Sequence, residues 1–298
     1  MQIVHTADYL KYDLGPGHPT RPVRAENLVR LVREAGRLSD LVPPISATYD
    51  ELRLVHTEDY ITQVVSGWHG EWEGHRPFLH GLASLIVGGT LAAARRIRDS
   101  EVRRVFHPMG AKHHAQRDRA SGFCIYNDMA IAASVLVEDG MKVMYVDWDA
   151  HHGDGVEFLL AGVPNTLTGS IHNGTIFPGT GQEHRPDVNA YNWPLAYNAK
   201  GPTMLSALNE LLKIGADFDP DIVLLAAGAD GHRKDPLGGL GYEVSDFAKA
   251  ARRVSDFSYD HCAGRLLVGG AGGYRADDVT PQVWFEVYKA LAADGARQ

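Results

Sequence analysis

Between positions 145 and 155 the chain reads Tyr145-Val146-Asp147-Trp148-Asp149-Ala150-His151-His152-Gly153-Asp154-Gly155. Three carboxylates and two imidazoles crowd together at the end of an apolar stretch. In a folded interior such a cluster repels itself unless something positive sits in it, and a bound cation is the simplest solution. Asp149 and His151 are close enough in sequence to point into one cavity, and Asp230 ends a second apolar stretch, residues 221–227. Two carboxylates and one imidazole leave room for water and substrate, which suits a catalytic divalent metal better than a structural one. Zinc is the first choice. Fe(II) and Mn(II) stay open, because oxygen-rich ligation selects less sharply than thiolate. Asp230 taken alone has a plainer reading, as a helix cap or turn former.

These residues need elements that bring distant segments together. Apolar residues at helical spacing predict helices over residues 26–35, 82–97, 129–137, 203–214, 247–257 and 283–292. Strands are predicted within residues 1–9 and over 102–106, 143–146, 163–171, 221–227 and 266–268. Residues 52–65 read as a strand and then a helix, and residues 68–77, rich in Gly, Trp and His, as a loop. Strands alternating with helices imply a parallel sheet covered on both faces. With no linker, repeat or low-complexity segment, residues 1–298 read as a single domain. Four predicted strands run into unusual residues: His113-His114, the acid and histidine cluster, Asp230, and Gly269-Gly270-Ala271-Gly272-Gly273-Tyr274. Ligands of open parallel sheets bind at the carboxyl ends of the strands, so these segments can share one site.

Composition narrows the classes. A net charge of −8 gives no reason to expect a nucleic-acid partner. The basic residues at Arg95-Arg96, Arg103-Arg104 and Arg117/Arg119 read as solvated faces, as do Arg30 and Arg33. Two cysteines, Cys124 and Cys262, exclude a disulfide framework and a cysteine-rich zinc module. The N-terminus lacks a charged-then-apolar signal sequence. No apolar run approaches the ~20 residues that span a bilayer, so no membrane partner and a cytoplasmic location are expected. His69, His75, His80, His184 and His261 read as surface or structural.

In order along the chain, the motifs resemble those of the metal-dependent histone deacetylases and their bacterial relatives. The resemblance runs from His18 to Tyr274. It rests on Lys112-His113-His114-Ala115, Ser121-Gly122-Phe123-Cys124-Ile125-Tyr126-Asn127-Asp128, the segment from Val146 to Gly155, Ser170-Ile171-His172, Phe177-Pro178-Gly179-Thr180-Gly181 and Ala227-Gly228-Ala229-Asp230. The stretch from Arg117 to Cys124 looks most like the bacterial acetoin utilization proteins. The resemblance implies a single arginase–deacetylase α/β domain with a central, mainly parallel sheet. It implies Asp149, His151 and Asp230 as zinc ligands, His114 as general base and acid, and His113 as its electrostatic partner. It further implies that Asp147 orients His113, that Asp154 orients His114, and that Tyr274 polarises the scissile carbonyl. Gly122, Phe123, Phe177, Leu237 and Gly272 match a narrow acyl-lysine tunnel, and Arg24 an internal channel behind the metal. Potassium is implied at Asp147, Asp149, His151, Ser170 and Ile171, and His152 is read as structural.

The chain departs from the family pattern at Ala271 within the glycine run, at Arg275 after the tyrosine, and at Leu237, where polyamine-selective relatives carry an acid. Leu237 argues for acyl-lysine or another mono-amine. The expected function is therefore hydrolysis of acetyl or short acyl groups from lysine by a zinc-activated water. The alternatives are deacetylation of small acylated amines such as acetylpolyamines, an arginase-like dinuclear manganese hydrolase, and an acyl-lysine binding protein without turnover.

Overall fold

The computed structural model describes residues 1–15, 17–38, 41–68, 70 and 74–293, so His69 and part of the 68–77 loop lie outside the described residues. The strands are β1 Gln2–Val4, β2 Leu41–Val42, β3 Arg104–His107, β4 Val143–Asp147, β5 Thr166–Asn173, β6 Ala190–Leu195, β7 Ile222–Ala226 and β8 Leu266–Gly269. They form one sheet in the order β2-β1-β3-β8-β7-β4-β5-β6, with every pairing parallel. The helices are α1 Val23–Glu34, α2 Tyr49–Arg53, α3 Glu58–Val65, α4 Phe78–Arg98, α5 Asp128–Glu138, α6 Asp154–Leu160, α7 Gly201–Phe218, α8 Val244–His261 and α9 Val279–Ala292.

The pleat divides the core. Along β4, Val143 and Tyr145 join α4, α5 and α6 on one face, while Met144 and Val146 join α1, α7, α8 and α9 on the other. Both faces are covered, so β4, β7 and β8 are buried throughout and read as continuous apolar runs. Register then places the chemistry. His107 pairs with Gly269, Gly269 with Ala226, Ala226 with Asp147, and Asp147 with Ser170. Four strands, β3, β8, β7 and β4, therefore end on one row, β5 runs past it to Asn173, and the polar residues beyond the row share one edge.

Several expectations need correction. Residues 52–65 hold no strand but lie across α2 and α3. Thr48 and Glu51 form a reciprocal capping box, and Thr57 accepts from the Tyr60 N–H. These local bonds outweigh the strand-like look of Leu52, Leu54 and Val55. The N-terminal strand stops at Val4, and a 3-10 turn, Ala7–Lys11, follows. The short strands β2 and β6 and the helix α6 were not foreseen. Strand β6 carries Pro194, which its place at the sheet edge tolerates.

Arg104 is no solvated face. It is buried, and its guanidinium donates to the Gly264 and Leu291 carbonyls and to Ser255 and Ser258. Helix α4 has 21 residues and is long and apolar enough to cross a bilayer, contrary to the sequence reading, but most of its apolar stretch is buried inside the fold. Gly88 explains how a helix can be so enclosed. A Cβ there would fall 1.5 Å from the Ile45 carbonyl oxygen, so glycine lets the 45–47 segment lie against α4.

Candidate active site

Asp149 and His151 leave the end of β4, and Asp230 leaves the end of β7. Their ligand atoms all lie within 4.8 Å of one another, and the three residues are buried. His151 Nδ1 stands 3.1 Å from Asp149 Oδ1 and 2.9 Å from Asp230 Oδ2. Tetrahedral bonds of 2.0–2.1 Å would set ligand atoms about 3.3 Å apart, so the triad fits a divalent metal with small adjustments. The second carboxylate oxygens are held by the backbone. Gly272 N–H donates to Asp149 Oδ2 at 2.6 Å, and Ala150 N–H to Asp230 Oδ1 at 2.9 Å. A Cβ at position 272 would sit 2.4 Å from Asp230 Oδ2 and 2.6 Å from Asp149 Oδ2. Glycine is required there by the closeness of both carboxylates.

The electrostatics ask for a positive charge. Burial, then the Asp149 charge, pushes the Asp230 carboxyl up to about 7. Burial also acts against ionisation of Asp149, but the charge on His113 and the bonds from His151 outweigh it and hold this carboxyl well below its ordinary value. Burial alone would lower His151, yet its bonds to the two carboxylates lift it to about 10. A metal cation satisfies these carboxylates without a proton.

Two imidazoles stand beside the triad. His113 Nδ1 is 2.8 Å from Asp147 Oδ2, and His114 Nδ1 is 2.7 Å from Asp154 Oδ1. Their rings are 4.0 Å apart between centroids. Asp147 is fixed by the Tyr145 hydroxyl at 2.6 Å and by Asp149 N–H at 2.9 Å, and Asp154 by Gln116 Nε2 at 2.9 Å. The environments separate the pair. Burial pulls His113 down, but Asp147 and Asp149 outweigh it and its pKa stands at about 9. Burial and the neighbouring His113 charge lower His114 to about 4. The two neighbouring imidazoles are thus pushed in opposite directions.

The loop bearing them is tied down from several sides. Asp128, at the start of α5, accepts the N–H groups of Ala111 and Lys112. Asn127 Nδ2 donates to the Ala115 carbonyl at 3.0 Å, and His56 Nδ1 to the Gln116 carbonyl at 2.9 Å.

A cavity of about 320 Å³ opens onto these groups, lined by His114, Gly122, Phe123, His151, Ile176, Phe177, Leu237 and Tyr274. The rings of Phe123 and Tyr274 meet edge to face at 6.2 Å, and Phe177 does the same with His114 at 5.0 Å. Burial, then Asp230 and Asp149, raises the Tyr274 phenol well above its ordinary value, so it stays a proton donor. A smaller cavity of about 20 Å³ adjoins, with Arg24, Lys112, Cys124 and Gly272 in its wall. Gly272 is absent from the lining of the larger cavity and acts instead as the clasp on the triad carboxylates.

Ser170 and Ile171 lie in β5 beside Asp147, and both are buried. His152 bonds to Thr180 and Glu157, away from the triad. Sequence reasoning missed Tyr145, Gln116, His56, Ile176 and Asp235. Tyr145 had a signal, since its spacing from Asp147 in a strand puts both on one face. The others reach the site from segments whose folding is not written locally.

The histone deacetylase domain family matches residues 18–291. The acetoin utilization protein AcuC of Bacillus subtilis (strain 168) is 32% identical, over 96% of this chain and 80% of that protein. AcuC of Staphylococcus xylosus is 30% identical, over 98% of this chain and 82% of that protein. The crystal structure of the HDA15 HD domain superposes with a TM-score of 0.87 at 26% identity, over 99% of this chain and 91% of that one. The chain belongs to the histone deacetylase family, and its activity is that of a metal-dependent deacetylase.

Proposed function

We propose that the protein removes acetyl, or a similarly short acyl group, from the side-chain nitrogen of lysine, with zinc held by Asp149, His151 and Asp230. The observation that carries this reading is the cavity with two phenylalanines in its wall that ends at the triad, at His114 and at Tyr274. It suits an uncharged, elongated acyl-amine. Apart from the triad, no carboxylate stands in its wall among the described residues, and Leu237 does, which favours a mono-amine over a polyamine.

An amide is a poor electrophile with a poor leaving group. Bound zinc supplies Lewis acidity, polarising the carbonyl and lowering the pKa of a water toward ~7. The rest belongs to the chain. Asp154 on Nδ1 fixes the His114 tautomer, leaving Nε2 to take a proton from the attacking water. The same nitrogen then returns a proton to the departing amine. His113, charged beside Asp147, supplies positive potential to the developing negative charge. The Tyr274 hydroxyl donates to the carbonyl oxygen as it becomes an oxyanion, where one donor contributes ~3 kcal/mol. Phe123 and Phe177 keep the acyl-lysine stem dry. A potassium ion is proposed at Asp147, Asp149, His151, Ser170 and Ile171. The parallel register of β4 and β5 and the burial of all five residues support it.

Acetate release from an acetyl-lysine peptide tests the reading. Activity is expected to vanish on chelation, to return with zinc, and to be lost in Asp230→Ala. Tyr274→Phe is expected to lower kcat by about 10²–10³-fold with little change in KM. Turnover indifferent to both chelation and Asp230→Ala rejects the reading. Faster turnover of N-acetylputrescine than of the peptide would move the substrate to small acylated amines. Tight peptide binding without product marks a binding protein.

A further inference from the structure

Asp235 lies outside the triad and both histidine–carboxylate pairs. It opens the Asp235-Pro236-Leu237 segment that brings Leu237 into the cavity wall. Its carboxylate accepts backbone N–H groups, among them that of Leu237 to Oδ1 at 3.0 Å and that of Tyr274 to Oδ2 at 2.8 Å. The second bond reaches 39 residues along the chain, to the residue that carries the phenol.

The other end of the same peptide unit is also held. The Gly273 carbonyl accepts from Arg24 Nη1 at 2.9 Å. Arg24 is itself buried, and its guanidinium lies over the Trp284 ring at 5.1 Å. The peptide joining Gly273 to Tyr274 therefore has a cation on its oxygen and an anion on its N–H. A peptide unit is planar, so bonds to both its ends fix its orientation. Charge-assisted bonds hold such geometry more firmly than neutral ones. The direction in which Tyr274 leaves the backbone follows from that plane. The neighbours on the N-terminal side offer little side-chain packing, since the run is Gly269-Gly270-Ala271-Gly272-Gly273.

We propose that Asp235 is a positioning residue for Tyr274. It fixes the peptide that aims the phenol into the cavity, and through Leu237 it ties that aim to the cavity wall. The proposal rests on the oxyanion role given above to the Tyr274 hydroxyl. Asp235 touches no reacting atom and acts only through Tyr274. Misplacing a reacting group by about 1 Å lowers rates by about 10²-fold.

A double-mutant cycle on the zinc-loaded protein separates positioning from general support. Asp235→Ala is expected to lower kcat by about 10- to 100-fold with KM within about twofold. In the Tyr274→Phe background the same change is expected to alter kcat by less than about twofold, because the group it positions is gone. Asp235→Asn keeps one acceptor oxygen and is expected to fall between; it carries the cycle if the alanine variant does not fold.

Binding of a linear alkyl hydroxamate gives a readout that needs no turnover. Its affinity should fall in Asp235→Ala and in Tyr274→Phe, with no further fall in the double variant. A wild-type protein that binds the hydroxamate but leaves acetyl-lysine peptides intact refutes the substrate reading, and the binding cycle still decides the role of Asp235. Equal losses from Asp235→Ala in both backgrounds, or no loss at all, overturn the proposal.

Discussion

Two histidine pairs lie close together in this protein and look alike by most measures. His113 and His114 have ring centroids 4.0 Å apart at 48°, and His152 and His172 have theirs 4.7 Å apart at 43°. All four residues are buried. Hydrogen bonding separates them. In the second pair every ring nitrogen has a partner. His152 meets Thr180 and Glu157, and His172 meets Ser170 and the Gly181 carbonyl. In the first pair each Nδ1 lies on a carboxylate, and neither Nε2 has a hydrogen bond among the described residues. His113 Nε2 stands 3.9 Å from Asp149 Oδ1.

Burial and residue type therefore do not tell the two pairs apart. What fits His114 to the proton transfers proposed above is a carboxylate on one ring nitrogen and a cavity beside the ring. The second pair fastens a wall instead: Thr180 and Gly181 belong to the loop that carries Phe177.

Removing one member of each pair should have very different consequences. His114→Ala is expected to lower kcat by about 10²–10⁴-fold while the protein stays folded, as measured by acetate release beside a thermal melt. A smaller effect would deny His114 the proton transfers.

Acid tests the scaffold under the first pair. His56 accepts the Asn127 N–H at Nε2 and donates from Nδ1 to the Gln116 carbonyl, so the fold holds it neutral. Burial lowers it from 6.5 to about 4. The unfolded chain takes up a proton below pH 6.5 and the folded one does not until about pH 4. Stability from this residue is thus full above pH 6.5 and falls as pH drops, by about 2 kcal/mol at pH 5. Denaturant melts of wild type and His56→Gln at pH 7 and pH 5 check it. The variant should show a weaker acid loss, and equal losses would remove His56 from the account.

The smallest effect is expected at the second pair. His152→Gln keeps an amide donor and acceptor, so it should reduce stability by about 1 kcal/mol and raise KM a few-fold through the Phe177 wall, with kcat nearly unchanged. A large fall in kcat would erase the distinction between the pairs.

Much of the site was legible because it is written in short runs. Asp147, Asp149 and His151 stand at intervals of two beyond one apolar strand, and Asp230 and Tyr274 follow two others. A parallel sheet then leaves only one edge for them to share. Arg104 and Asp235 were not legible. Nothing near Arg104 in sequence announces that α8 and the end of α9 will supply its acceptors. Nothing near Asp235 points to Tyr274. The 52–65 segment was misread for the opposite reason, since apolar residues outweighed the capping signal of Thr48 and Glu51 that lay in plain view.

The alternating α/β order, the apolar strands and the convergence of acids, imidazoles and a tyrosine on one edge are all written in the order of the residues. These follow from local periodicity and from the charge crowding that a cation relieves. Packing in three dimensions sets which nitrogens stay open, makes Gly272 a clasp on the triad carboxylates rather than a lining of the larger cavity, and brings Arg24 and Asp235 to one peptide beside Tyr274. Those outcomes depend on hydrogen bonds between segments far apart in the chain, such as His113 with Asp147 across 34 residues and Gly272 with Asp149 across 123. Their partners are chosen by how helices pack on the sheet, which no short stretch of residues specifies.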